Sequence, residues 1–374
     1  MIVVLIIIGA FLFSYFVTLL YRQLWCENLE VDVNFKEESV VEGMESELTE
    51  IISNRKWLFL PILQVAFETN RNLRFGQEEN VSVSDLCYKR DVFSVGGYQK
   101  ITRTIPFYCS RRGFYEINSV DVISRTPLLT EKLHSSAKQN THIYGFPKNI
   151  EDELLDISFQ KIMGEIQARK NIYEDPFEFR GIREYQSTDP MSKINWKASA
   201  KSEDWMVNLY GSTNAQEIHI LLDLEEEATG KYDDIHEVAI RLAATLSERF
   251  IEAGIPAGLV TNAKDIKEDE TLRLDAGTGK QQLSNIKRGL SRIDLSKRAD
   301  SMKDYICQQR EKLNHSQKTY IMISKNQRAD CYEAFSDLTG QGTSGFWIST
   351  RYSGMECSLP RDGRVTVIDW EVVR

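Results

Sequence analysis

A chain of 374 residues, 42% hydrophobic and 27% charged, has the composition of folded protein and enough length for two globular domains. Its 46 lysines and arginines against 55 aspartates and glutamates leave a net charge of −9, which argues against a general nucleic-acid binder, because phosphate recognition needs basic surface. The six cysteines (Cys26, Cys87, Cys109, Cys307, Cys331 and Cys357) are scattered, with no C-x-x-C pair and no histidine at metal-ligand spacing, and read as reduced thiols.

Residues 1–21, MIVVLIIIGAFLFSYFVTLLY, carry no charged side chain. As a helix rising about 1.5 Å per residue they span roughly 30 Å, the thickness of a hydrocarbon core. A retained single-pass anchor is expected rather than a cleaved signal peptide, since there is no basic leading region and no small-residue cleavage site. Arg22 alone marks the far side, so the charge signal for orientation is slight.

From Leu29 the pattern has period two: Leu29, Val31, Val33 and Phe35 alternate with Glu30, Asp32 and Asn34. Alternation returns at Leu63 to Phe67, and strand-like runs lie near Ile101 to Tyr108 and Tyr115 to Ile123, with turn signals at Gly96-Gly97 and Arg112-Gly113. Residues 28–145 are expected to form an antiparallel β-sandwich. Residues 150–215 form a connector holding the densest segment of the chain, 174–201, EDPFEFRGIREYQSTDPMSKINWKASAK. In it Asp189 before Pro190 predicts a helix start, with the carboxylate as cap and the helix running to about Ser202. On such a helix Met191, Ile194 and Ala198 share one face, and Lys193, Lys197 and Lys201 recur every fourth residue along another. With Arg180 and Arg183 upstream, the lysine row is either a solvated face or a docking surface for an acidic partner. Trp196 is expected to pack under the helix.

Residues 216–374 alternate strand and helix. The apolar run Ile218 to Leu222 ends at Asp223 and suits a buried parallel strand. A helix follows in which Ile235, Val238, Ala239, Leu242, Leu246 and Phe250 repeat at three and four. Further strands are expected at Ala257 to Thr261, Thr319 to Ser324, Phe346 to Thr350 and Val365 to Val373, with helices at Lys280 to Arg292, Lys303 to Lys312 and Asp330 to Leu338. The whole chain is thus an α+β multidomain protein: transmembrane helix, antiparallel β-sandwich, then an open, mostly parallel α/β sheet.

Chemistry is scarce. Asp275-Ala-Gly-Thr-Gly-Lys280 lacks the spacing of a phosphate loop, with Leu274 and Gln281 at the key positions, and neither a zinc motif nor an activated serine is present. His219, inside an apolar strand, reads as a packed histidine. No catalytic residue, metal or cofactor is assigned.

Arg183-Glu184-Tyr185, then Asp189, then Ile194-Asn195-Trp196-Lys197 and Ser199-Ala200-Lys201 resemble the signature of the domain of unknown function 58 family of bacterial membrane-associated proteins. The likeness extends to Glu174-Asp175-Pro176-Phe177 and to the strand ending at Asp223. The sequence departs from the family pattern at Thr188, where glycine is common, Pro190 and Asn195, where aspartate is common, and Ser192, where arginine is common. The resemblance implies a von Willebrand factor A-like domain, often encoded beside a MoxR-class AAA+ ATPase, and a cytoplasmic body. In von Willebrand A domains magnesium is held by D-x-S-x-S after the first strand, a later threonine and a later aspartate. The corresponding positions here are Asp223, Glu225 and Glu227, with Thr278 as the threonine and Lys325 in place of the aspartate. The expectation is that the Lys325 ammonium pairs with Asp223, Glu225 or Glu227 and closes the site. The function expected is a non-enzymatic, membrane-anchored interaction or scaffold protein working with that ATPase. The alternative is a metal-dependent, adhesive von Willebrand A protein outside the cell, and metal binding and topology discriminate the two.

Overall fold

The computed structural model describes residues 2–76, 81–83, 86–127, 129, 131–172, 179–187, 189–210, 217–226, 232–313, 318–339 and 344–372. The chain divides into two compact units, Met1–Lys148 and Asn149–Arg374.

The first unit begins with α1, Ile2–Leu24, which is long and apolar enough to cross a membrane. Most of it is exposed, but Tyr21 in its last turn and Trp25 just past its end are buried with the β core, and the Tyr21 hydroxyl bonds to Ser124 Oγ at 2.9 Å. Ten strands follow: β1 Leu29–Phe35, β2 Ser39–Val41, β3 Glu45–Asn54, β4 Leu60–Asn70, β5 Leu73–Phe75, β6 Val81–Val83, β7 Leu86–Val95, β8 Lys100–Cys109, β9 Gly113–Arg125 and β10 Lys132–Phe146. They form two sheets, β1-β3-β8-β5 and β2-β10-β9-β4-β7-β6, which share one buried core. Pairing is antiparallel except for β2, which joins β10 in parallel. Period two sets the burial of β3, whose alternate residues Ser46, Leu48, Glu50, Ile52 and Asn54 all face inward. A carboxylate at Glu50 is therefore carried into the core by the same register that buries Leu48 and Ile52.

The second unit opens with α2, Glu153–Ile172, whose Leu155, Ile162 and Ile166 join the core. Next come β11 Phe179–Glu184, α3 Trp196–Ser202 and β12 Met206–Tyr210, with β11 and β12 paired antiparallel. The main sheet contains β13 Glu217–Asp223, β14 Ala257–Lys264, β15 Thr271–Gly277, β16 Lys318–Ser324, β17 Ser344–Tyr352 and β18 Thr366–Val372, in the order β15-β14-β13-β16-β17-β18. Five strands are parallel and β15 is an antiparallel edge. The helices are α4 Asp233–Glu252, α5 Gly279–Ser291, α6 Met302–Leu313 and α7 Ala329–Thr339.

Alternation along the strands sorts them into two layers. Ile218, Ile220 and Leu222 of β13, Ile321 and Ile323 of β16, and Phe346 and Ile348 of β17 pack with residues of α4 and α5. Leu221, Tyr320, Met322 and Trp347 pack on the other side with Met302 and Ile306 of α6 and Phe335 and Leu338 of α7. Both faces are covered, as the nearly continuous apolar runs require.

Candidate functional site

Two places hold the singled-out residues. The first is the signature segment, where the expected helix from Asp189 does not form. The Asp189 carboxylate instead takes both terminal nitrogens of Arg183, Nη1 to Oδ2 and Nη2 to Oδ1 each at 2.6 Å, and the Gln186 amide at 2.9 Å. That fork holds its carboxyl below the usual range, with the Arg183 hydrogen bond as the largest cause. Pro190 is extended, a single 3-10 turn spans Met191–Lys193, and Ile194 is extended again, bridging to Val207. The helix starts only after Asn195. Its Oδ1 accepts from the Ala198 amide at 2.9 Å, while its Nδ2 donates to Asn208 Oδ1 at 2.7 Å. Glu203, in the left-handed region at φ 61°, ends it.

Several expectations are corrected by this path. Lys193 lies in the 3-10 turn, so the lysine row reduces to Lys197 and Lys201, exposed one turn apart on α3. Met191 is exposed while Ile194 is buried, so no apolar face unites them. Trp196 does not pack beneath the helix: it is 67% exposed, its ring 6.5 Å from that of Trp205, itself 51% exposed and 5.5 Å from Tyr185. Tyr185 is fixed through its amide to the Trp205 carbonyl at 2.7 Å. Glu184 is exposed at the end of β11, and Arg180 lies within that strand. Trp205 was not singled out by sequence; an aromatic just before a strand carries no periodic signal.

The second place is the carboxyl edge of the main sheet, where ligands collect in open α/β folds. Asp223, 1% exposed, ends β13. Its Oδ2 accepts from Ser324 Oγ at 2.7 Å, and its Oδ1 from Asn262 Nδ2 at 2.8 Å and the Glu225 amide at 3.0 Å. Burial pushes its carboxyl up, against these donors. Ser324 Oγ in turn accepts from the Asn326 amide at 2.8 Å, and Asn326 Oδ1 from the Arg328 amide at 3.0 Å. The loop thereby presents Arg328 to Glu225, with nitrogen and oxygen 3.2 Å apart. The Glu225 carboxyl is raised, first by burial and then by the Asp223 charge, with Arg328 opposing.

Lys325 is not the cation that meets these acids. Asp223, Ser324 and Asn262 share the α6 and α7 side with Leu221, Met322 and Val260, whereas Lys325, one residue on, lies over the Tyr232 ring at 4.2 Å, next to α4. Odd and even positions of a strand face opposite sides, so the charge assigned to Lys325 is supplied by Arg328. Thr278 is also excluded. Gly277 pairs with Ala257 at the start of β14, and Ala257 with Ile218, so Thr278 lies at the amino end of the parallel strands, opposite Asp223. Glu227 falls outside the described residues. The donors present do not fit the magnesium set: both Asp223 oxygens accept from protein donors, and a guanidinium faces Glu225. Among the described residues no group of three or more metal-ligating side chains converges.

The profile of Protein of unknown function DUF58 matches residues 181–373. No curated protein matches the chain. Among solved structures, a CARDB domain from Pyrococcus furiosus, in complex with di-metal ions, is 14% identical over 30% of this chain and 90% of that one, at a TM-score of 0.19. The full-length major pilin SpaD from Corynebacterium diphtheriae is 12% identical over 31% of this chain and 35% of its own, at 0.22. Likenesses this slight carry no argument. The profile spans just over half of the chain and includes Arg183, Asp189, Asn195 and Asp223, and on that ground the chain belongs to the DUF58 family.

Proposed function

We propose that the protein is a non-enzymatic, membrane-anchored scaffold whose signature segment docks a MoxR-class AAA+ ATPase, with the soluble units in the cytoplasm and a von Willebrand A-like second unit. The observation that carries this reading is the pair of exposed rings at Trp196 and Trp205 beside the exposed Lys197 and Lys201. Tryptophans left in water on a folded surface are the residue type that anchors protein interfaces, and lysines on an otherwise acidic protein favour an acidic partner. Five parallel strands with helices on both faces have the layering of a von Willebrand A domain, which supports the second part. The helix at residues 2–24 supports the anchor.

The docking reading is tested with the detergent-solubilised full chain and a purified MoxR-class AAA+ ATPase from the same source. Changing Trp196 and Trp205 to Ala should weaken binding by about a hundredfold, and changing Lys197 and Lys201 to Glu by about tenfold. Binding unaltered in both variants sinks the proposal. Placement of the body is read from carboxyl-terminal fusions: a fluorescent-protein fusion should glow and an alkaline phosphatase fusion stay inactive, and the opposite pattern moves the body outside the cell.

A further inference from the structure

Strand register in the first unit gathers several turns at one end. Leu29 at the start of β1 pairs with Asn54 at the end of β3, and Ser53 with Lys100 at the start of β8. Leu60 at the start of β4 pairs with Val95 at the end of β7, and Arg125 at the end of β9 with Lys132 at the start of β10. The turns at residues 55–59, 96–99 and 126–131 therefore share this end, and α1 joins the body there, where the Tyr21 hydroxyl meets Ser124 and the chain resumes at Leu29. These turns carry Trp57, Phe59, Tyr98 and Leu129, each more than half exposed.

Two observations show that this display is held in place. The turns are tied together: the Tyr98 amide donates to the Lys56 carbonyl at 2.9 Å, and Asn54 Nδ2 donates to the Leu58 and Gly96 carbonyls, each at 2.8 Å. The Arg55 amide, bound to the Asn28 carbonyl at 2.9 Å, fastens the first turn to the residues that follow α1. A Cβ at Gly97 would stand 2.5 Å from the Trp57 carbonyl oxygen, so the close approach of the two turns requires glycine. Second, Tyr98 at φ 53° and Leu129 at φ 57° occupy the left-handed region, where Gly or Asn is the easier residue. Turn chemistry does not select either side chain. Apolar residues held in water on fixed turns mark a contact surface, and α1 indicates what covers it. None of residues 2–20 is buried, and the uncharged run ends at Tyr21, which is itself buried in the body. A bilayer crossed by α1 thus abuts this end with no spacer between them. Trp and Tyr are the side chains enriched at the headgroup level, where the ring meets the acyl boundary and the polar edge meets water.

We propose that this end of the first unit is a lipid-contacting surface, with Trp57, Phe59, Tyr98 and Leu129 seated in the interfacial layer of the bilayer that α1 crosses. The proposal rests on the anchor in the proposed function and on no part of the ATPase docking. The test uses the full chain, labelled with 5-fluorotryptophan and reconstituted in phosphatidylcholine nanodiscs, with the Trp57 fluorine resonance assigned by its loss in Trp57→Phe. A water-soluble gadolinium chelate should leave that line as narrow as the line of Trp347, which is fully buried. A nitroxide at carbon 5 of the lipid chain should broaden it away. In the double variant Phe59→Asp, Tyr98→Asp the chelate should reach Trp57 and the line should be lost. Both changes fall on exposed turn residues, and Asp accepts the left-handed backbone at position 98. An unchanged Trp347 line verifies that the variant is folded. The proposal is overturned if the chelate broadens Trp57 in the unaltered chain, or if the double variant stays as shielded. It is also overturned if Trp57 is shielded from the chelate yet untouched by the lipid nitroxide, which makes a second copy of the chain the cover. A chain that elutes without lipid removes the anchor and this proposal together, whereas a lipid-bound chain with Trp57 open to the chelate removes this proposal alone.

Discussion

Glu50→Gln is expected to stabilise the first unit at pH 8 by about 3 kcal/mol at most and to change it little at pH 4. Glu50 is 1% exposed, neither carboxylate oxygen has a hydrogen-bond partner, and its pKa is pushed up to about 7. Burial is the main cause and the Asp91 charge the second, with Lys89 and Arg103 pulling the other way. A carboxyl whose folded pKa lies above its unfolded value holds more protons folded than unfolded between the two, so stability falls as pH rises from about 4.5 to about 7 and stays low above it. A neutral amide of the same shape removes that fall. Its NH2 must still find an acceptor, so the gain is an upper value. Hydrogen exchange at β3 and β8 amides reports this unit alone. The wild type should lose protection between pH 5 and 8, after correction for intrinsic exchange, and the variant should not; equal loss in both removes Glu50 as the cause.

The largest loss is expected from Lys89→Met, about 3–5 kcal/mol of the same unit's stability. Lys89 Nζ and Asp91 Oδ2 are 2.9 Å apart with both side chains 2% exposed. The ammonium also lies 5.7 Å from the centre of the Phe75 ring. The transfer of the pair out of water is offset mainly by their mutual attraction, so removing one partner strands the other. Arg103, 3.0 Å from Asp91 Oδ1 but over a third exposed, replaces only part of what is lost. The double variant Lys89→Met, Asp91→Leu should recover most of the stability, because no buried charge is then left. Denaturant midpoints read through β4 and β7 exchange distinguish the cases: a double variant as unstable as the single one means that lost packing, not a stranded charge, is responsible.

The parts of the fold written into local pattern were legible. The apolar runs at Ile218 to Leu222, Thr319 to Ser324 and Phe346 to Thr350 became β13, β16 and β17 because a strand buried on both faces has few other sequences available to it. β15 was missed because an edge strand with one exposed side, TLRLDAG, has too weak an alternation. At Asp189 the local signal was genuine but lost to a longer-range one: a cap contributes about 1 kcal/mol, and a bidentate arginine pair together with a backbone amide outcompetes it. Parity misled in the opposite way. Lys325 and Arg328 both follow β16, and only the sheet's two faces show that the first turns toward α4 and the second toward Glu225.

The end of α1 has a mechanical consequence. Tyr21 and Trp25 are embedded in the β core, and the chain resumes as β1 at Leu29. The helix is therefore a mast stepped into the first unit, and no slack leash separates them. Any tilt or rotation imposed on the apolar stretch is carried straight into both sheets of that unit, and Tyr21→Ala, which removes the footing, would turn a rigid mount into a swivel.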